Sequence, residues 1–251
     1  MKKEQLHCPS LRWLDKAIHC AALRCEAWCF PELCIICDKV RASGDAWLCK
    51  HCHEALIENS CTRSGCPRCG LNPQIRQCSC EIAWDFPFEK IHSIFDYNEL
   101  VQELVRNIKY HGKKTLASKL ASYIADCKEL KGCYDAVTAV PLHWTRYQKR
   151  GYNQAQWFAK GVSSGTDIPL LSSVLKRRKS TGTQTKLDRL DRQNNLKNAF
   201  SIDHKKLFLI ENKRILLADD VITTGATVRS CTEALLNAGC KSVGVISIAR
   251  D

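Results

Sequence analysis

Arg214-Ile215-Leu216-Leu217-Ala218-Asp219-Asp220-Val221-Ile222-Thr223-Thr224-Gly225-Ala226-Thr227 decides how the chain is read. Ile215 to Ala218 is a short apolar run of the kind buried on both faces of a parallel sheet, so it reads as a strand. Asp219 and Asp220 then stand at the strand end, and Thr223 to Thr227 turn into a helix. Gly225 permits the tight backbone, Thr224 and Thr227 offer hydroxyls, and the successive amides from Thr223 through Ala226 to Thr227 can cradle an anion favoured by the helix dipole. The acids would repel that anion but can accept hydrogen bonds from neighbouring ribose hydroxyls. A helix through Val228, Cys231, Leu235 and Leu236 stops at Gly239, and a strand from Ser242 to Ala249 completes a βαβ unit.

Outward from this unit the chain keeps alternating. Ile91 to Tyr97 reads as a strand, Glu99 to Tyr110 and Leu116 to Leu130 as helices, and Ala136 to Val140 as a short strand ending at Pro141. The fold class is therefore α/β, a parallel sheet covered by helices. Ligands in such sheets bind beyond the carboxyl ends of the strands, where both Pro141 and Asp219 fall.

The first part of the chain differs in character. Of its 17 cysteines, only Cys127, Cys133, Cys231 and Cys240 lie beyond residue 80. Cys34-x-x-Cys37 is followed after eleven residues by Cys49-x-x-Cys52, and Cys66-x-x-Cys69 after eight residues by Cys78-x-Cys80. This is zinc-ribbon spacing, since a Cys-x-x-Cys knuckle delivers two thiolates to one side of a tetrahedral ion and a second knuckle closes the site. Closed Cys₄ sites are structural, and in so short a segment metal binding would provide much of the folding free energy. Disulfides would need an oxidising compartment, and no signal peptide is visible, which points to the cytoplasm. Cys61 or a histidine is an alternative ligand at the second site, while His51 and His53 read as solvated. These features divide the chain into an N-terminal extension (1–31), a double ribbon (32–84) and the α/β domain (85–251). In the extension, Leu11, Leu14, Ile18, Ala22 and Cys25 recur at helical spacing from about Ser10 to Trp28. Charges interrupt that stripe, so it reads as packing on protein, or on a membrane surface or partner, and not as a transmembrane segment.

The net charge of +12 suggests a polyanionic partner. Half of it lies between Val174 and Phe200, where eight cations face Asp188 and Asp191; this stretch reads as a basic flap over a phosphate-bearing cleft, or as a solvated loop. Lys109, His111, Lys113 and Lys114 form another basic cluster. From Leu142 to Ala155, Arg146, Lys149 and Arg150 are interleaved with Trp144, Tyr147 and Tyr152, and Asn153 can cap a helix from Gln154 to Gly161. That composition suits single-stranded nucleic acid, a pyrophosphate-binding loop, or a merely solvated segment.

Asp219 to Thr227 resembles the phosphoribosyl pyrophosphate motif of type I phosphoribosyltransferases. That resemblance implies ribose binding by Asp219 and Asp220, 5′-phosphate binding by Thr223, Thr224, Gly225, Ala226 and Thr227, and Mg²⁺ carried with the ligand. Thr223 stands where the 6-oxopurine enzymes of this class carry a proposed carboxylate base, which argues against purine salvage. Taken with the cysteine knuckles, Ile108-Lys109-Tyr110-x-Gly112, Val140-Pro141-Leu142, Arg150-Gly151-Tyr152-Asn153-Gln154, Thr181-x-x-Gln184-x-x-Leu187 and Arg192-x-x-Asn195, the chain resembles the ComF family over about residues 32–251. The resemblance implies a double zinc ribbon before a type I phosphoribosyltransferase-like domain, and a cytoplasmic role handling incoming single-stranded DNA in natural transformation. DNA uptake or processing proteins are then further partners, and the inner face of the membrane a further location. An active Mg²⁺-dependent phosphoribosyltransferase and an interaction scaffold are the alternatives.

Overall fold

The computed structural model describes residues 33–39, 47–60, 66, 68–72, 78, 85–124, 130–177 and 199–251. The helix expected at 10–28, Cys61, Cys80 and most of the basic flap lie outside them. The chain divides into two units, residues 1–55 and 56–251. The first holds the turn at Ile35–Cys37 and the start of helix α1 (Lys50–Glu58).

The second unit is built on a four-stranded parallel sheet, in the order β1 (Ile91–Asp96), β6 (Ser242–Arg250), β5 (Arg214–Ile222), β2 (Ala136–Ala139). The central strands are apolar on both faces: Ile215 to Ala218 and Val243, Val245 and Ile246 are all at most 1% exposed. Helices α2 (Glu99–Tyr110), α3 (Lys114–Lys119), α4 (Trp144–Arg150), α5 (Gln154–Thr166) and α6 (Ala226–Asn237) complete the layers. Local chemistry sets their ends. Asn98 caps α2 through the Val101 amide at 3.0 Å, and Val101, Leu104, Val105 and Ile108 form its buried stripe. A short antiparallel pair, β3 (Leu175–Arg177) and β4 (Phe200–Ile202), joins Arg177 to Phe200 and so brackets the basic stretch.

The structure corrects four sequence expectations. β5 does not stop at Ala218. Its parallel partner β6 continues to Arg250, pairing Asp219 with Ser247 and Ile222 with Arg250, so both acids stand inside the strand. Over its described part, the helix expected from Leu116 to Leu130 is instead α3 followed by a 3₁₀ turn, Leu120–Tyr123, while 125–129 lie outside the described residues; Leu120 and Ala121 are buried, and the Tyr123 ring lies 5.5 Å from that of Phe95. The segment after Pro141 is not a loop. His143 accepts from the Thr145 amide and Gly151 closes α4 at φ 74°, so a two-turn helix forms. Helix α5 passes through Gly161 to Thr166, because Gly161 is a crossing point and not a terminus: a Cβ there would collide with the Ser118 carbonyl.

Candidate phosphoribosyl site and cysteine clusters

The turn after β5 presents an open helix N-terminus. Gly225 is the N-cap of α6, at φ 76° and without a side-chain cap of its own, so the Thr227 and Val228 amides in the first turn of a 12-residue helix keep their donors for a ligand. Thr223 and Thr224 are exposed, and Thr224 Oγ1 takes the Ala226 amide at 3.4 Å. A Cβ on Gly225 would stand 3.0 Å from the Phe86 ring, so both backbone conformation and close approach demand glycine. Arg250 braces the turn from behind, its Nη1 donating to the carbonyls of Ile222 at 2.9 Å and of Thr223.

Asp219 and Asp220 face different partners. Asp220 Oδ2 receives Lys109 Nζ from α2 and Gln154 Nε2 from α5, each at 2.9 Å, and its Oδ1 takes the Val221 amide at 2.9 Å. Burial opposes the Asp220 charge, but the Lys109 ammonium and these hydrogen bonds hold its carboxyl below the ordinary range. Burial, and then the charge of Asp220, push the Asp219 carboxyl well above it. Arg177 lies within electrostatic reach of both Asp219 and Arg146, and burial followed by Arg146 lowers its pKa. This end of the sheet thus combines two acids, an uncapped helix start and neighbouring cations.

The other residues singled out by sequence are distributed unevenly. Tyr152 is buried, its hydroxyl donating to the Ile108 carbonyl, and Asn153 caps α5 through the Ala155 amide while donating to the Val140 carbonyl at 2.9 Å. Both therefore tie the start of α5 to neighbouring segments, Tyr152 to the end of α2 and Asn153 to the residue after β2. Arg146 and Lys149 are exposed on α4, and the Arg150 guanidinium lies 5.2 Å from the centre of the Tyr110 ring. Tyr110, Trp144 and Tyr147 are 69%, 61% and 50% exposed. Trp144, Tyr147 and Arg150 follow at three-residue spacing along α4, so indole, phenol and guanidinium line one helix face and end at Tyr110. Sequence reading gives Gln154 a place in a family motif and at the start of a helix but no role beside the acids, and passes over Arg250; their partners lie far away along the chain.

In the first unit, the Sγ atoms of Cys34, Cys37, Cys49 and Cys52 lie within 4.8 Å of one another. Cys37 and Cys49 are 3.6 Å apart, far beyond a disulfide bond and close to the tetrahedron edge of about 3.8 Å implied by zinc–sulfur bonds. Cys66, Cys69 and Cys78 form a second group in the other unit. Burial opposes ionisation of Cys34 and Cys66, yet backbone amides of the knuckles, for Cys34 including that of Cys49, bring both thiols down to about 7. Either cluster could hold a metal ion, and thiolate-only donors favour a soft or borderline one. The second knuckle lies along β1: the Ile91 amide donates to the Arg68 carbonyl at 2.6 Å, and Gly70, at φ 69°, leaves space that a Cβ would take from the Ile91 carbonyl at 3.0 Å.

The parallel sheet and its acid-turn-helix edge define the class, a phosphoribosyl transferase domain, and residues 149–251 match that family. Competence protein F of Haemophilus influenzae is 34% identical over 222 residues, covering 80% of this chain and 96% of that protein. DNA utilization protein YhgH of Escherichia coli K12 is 27% identical, covering 88% and 97%, and competence protein ComFC of Streptococcus pneumoniae is 27% identical, covering 83% and 90%. The chain belongs to the competence protein F (ComF) family.

Proposed function

We propose that this chain serves in competence, binding phosphoribosyl pyrophosphate with Mg²⁺ at the end of β5 and handling single-stranded DNA on the neighbouring basic face. The observation that carries the reading is the uncapped start of α6 directly after Asp219 and Asp220. Its amides suit the 5′-phosphate and the acids suit ribose hydroxyls. Mg²⁺ arriving with the ligand would offset the pyrophosphate charge, a task Arg146 and Arg177 share from the protein side. Zinc suits the sulfur donors: Cys34, Cys37, Cys49 and Cys52 would hold one ion, and Cys66, Cys69 and Cys78 the other with Cys80, each supplying structure and no open position for chemistry.

The competence and DNA utilization roles in the names of the relatives support the DNA half. So does the exposed row of Trp144, Tyr147, Arg150 and Tyr110, because planar side chains stack on unpaired bases while Arg146 and Lys149 neutralise phosphates. No described helix is long and apolar enough to cross a membrane. Active glycosyl transfer is a second reading, favoured by the placement of Arg177 within reach of Asp219 and of Arg146 within reach of Arg177, where leaving pyrophosphate would need charge stabilisation.

The test is calorimetric titration of zinc-loaded protein with phosphoribosyl pyrophosphate and Mg²⁺, alongside binding of a labelled single-stranded oligonucleotide over a salt series. Ligand binding that disappears in Asp219→Asn with Asp220→Asn, and salt-sensitive strand binding that shifts with the ligand, are expected. Absence of ligand binding by the unaltered protein would overturn the small-molecule reading, and absence of strand binding at low salt the DNA reading. Pyrophosphate release on incubation with the ligand would favour the transferase.

A further inference from the structure

The two acids of β5, Asp219 and Asp220, are not equivalent. Asp220 holds three donors, from Lys109, Gln154 and the Val221 amide, which use most of what a carboxylate can accept. Among the described residues Asp219 makes no ion pair, and its backbone donor is the Asp220 amide at 2.9 Å. The side chains of Lys109 and Asp220 are 24% and 11% exposed, so their ion pair is shielded from solvent far more than a surface pair. Gln154 is 3% exposed, and its amide oxygen has no partner among the described residues. A buried amide that spends its nitrogen on Asp220 and leaves its oxygen unpaired is a costly arrangement unless something else requires it.

We propose that Lys109 and Gln154 are positioning residues of the ribose subsite, fixing the negative charge of the acid pair on Asp220 and leaving Asp219 to meet a ribose hydroxyl. This rests on the phosphoribosyl reading above. The placement of both residues follows from their neighbours. Asn153 caps α5 and so sets Gln154 at its first position, while the Tyr152 hydroxyl fastens Ile108, the residue before Lys109. The two positioning groups are therefore anchored to each other as well as to Asp220.

Adjacent buried carboxylates cannot both ionise freely, and a cation against one of them decides where the charge resides. Asp220 faces Lys109 from α2, Asp219 from its own strand and the uncharged Gln154 from α5; Asp219 feels Asp220, the more distant Lys109 charge, Arg177 on β3 and Cys231 on α6. Removing the ammonium leaves Asp220 buried beside another acid, so it takes up a proton at higher pH. A site that needs the carboxylate then loses ligand as pH falls.

The experiment is calorimetry of Mg²⁺–phosphoribosyl pyrophosphate from pH 5.5 to 8.5 on the zinc-loaded full chain. Lys109→Met is expected to weaken binding about tenfold or more near pH 6, with the loss shrinking as pH rises, whereas Lys109→Arg keeps the unaltered protein's profile. Lys109→Gln, which retains a donor without the charge, is the companion should methionine disturb α2, and it should show the same pH trend. Carboxyl carbon NMR gives a ligand-free readout, in which the Asp220 titration moves upward in the uncharged variants. A purely structural ion pair would lower stability and leave the pH profile of affinity unmoved. That result, or an unmoved Asp220 titration, overturns the inference while the phosphoribosyl reading stands. An unaltered protein that binds no ligand removes that reading and this inference together.

Discussion

At Gly225 one residue meets two constraints, a left-handed backbone and a ring against the position a Cβ would take. Gly225→Ala should therefore cost about 1–2 kcal/mol from backbone strain alone, before Phe86 shifts. Urea unfolding measures that loss, and calorimetry should show weaker ligand binding because the α6 amides lose their alignment. His92 offers a second test at this scale. Burial, then Lys90, holds its pKa down at about 4, while its Nε2 lies 3.3 Å from the Tyr134 hydroxyl. The unfolded chain binds that proton at about 6.5, so the contribution of neutral His92 is present above pH 6.5 and is lost as pH falls towards 4. The span corresponds to about 3 kcal/mol at most. His92→Gln should flatten the decline of the urea midpoint between pH 7 and 4.5; comparing the two proteins cancels the shared response of the cysteine clusters. An unchanged slope would mean that the ring is hydrated in the folded state.

The elements show which local signals were sufficient. Glu99–Tyr110 is legible end to end, because Asn98 supplies a cap and the apolar residues keep a 3.6 period. The turn at Thr223–Thr227 is legible for the same reason: glycine and hydroxyl residues mark it in the chain itself. The extent of β5 is not, since Asp219 to Ile222 stay in the strand through pairing with a neighbour, and no apolar run announces that. Tyr152 invites a stacking role beside Arg150 yet packs inward, because its partner is the carbonyl of Ile108, 44 residues earlier. Gln154 meets Asp220 across 66 residues, a distance that composition and periodicity do not register. Gly161 belongs to this scale too. Glycine to alanine in a helix usually gains about 1 kcal/mol, but here the obstacle is the Ser118 backbone and not a flexible side chain, so overpacking of about 1–3 kcal/mol should prevail. A lower urea midpoint for Gly161→Ala is expected, and a higher one would show that α3 can retreat.

Across the whole molecule, the charge of +12 favours polyanions at long range, and under the proposed function the α4 face is where a strand would bind. Each phosphate contact on a single strand contributes about 0.7 to the log-log salt slope. Replacing Lys149 and Arg150 by alanine should thus lower the slope by about 1.4, whereas Trp144→Ala should weaken affinity by about 1–3 kcal/mol with little change in slope. Fluorescence anisotropy over a salt series separates the two. The position of the second cysteine knuckle has a different bearing on the molecule. β1 is one of the two outer strands of the sheet; the Arg68 carbonyl accepts from the amide of Ile91, and Ser60 bridges Phe95 in antiparallel fashion. These segments occupy hydrogen-bonding groups that an uncovered strand would offer to other chains. A chelator, or Cys66→Ser, should loosen that cover and raise light scattering at concentrations where the unaltered protein stays clear. Metal supply would then govern how much of this protein a cell keeps from aggregating, quite apart from anything it binds.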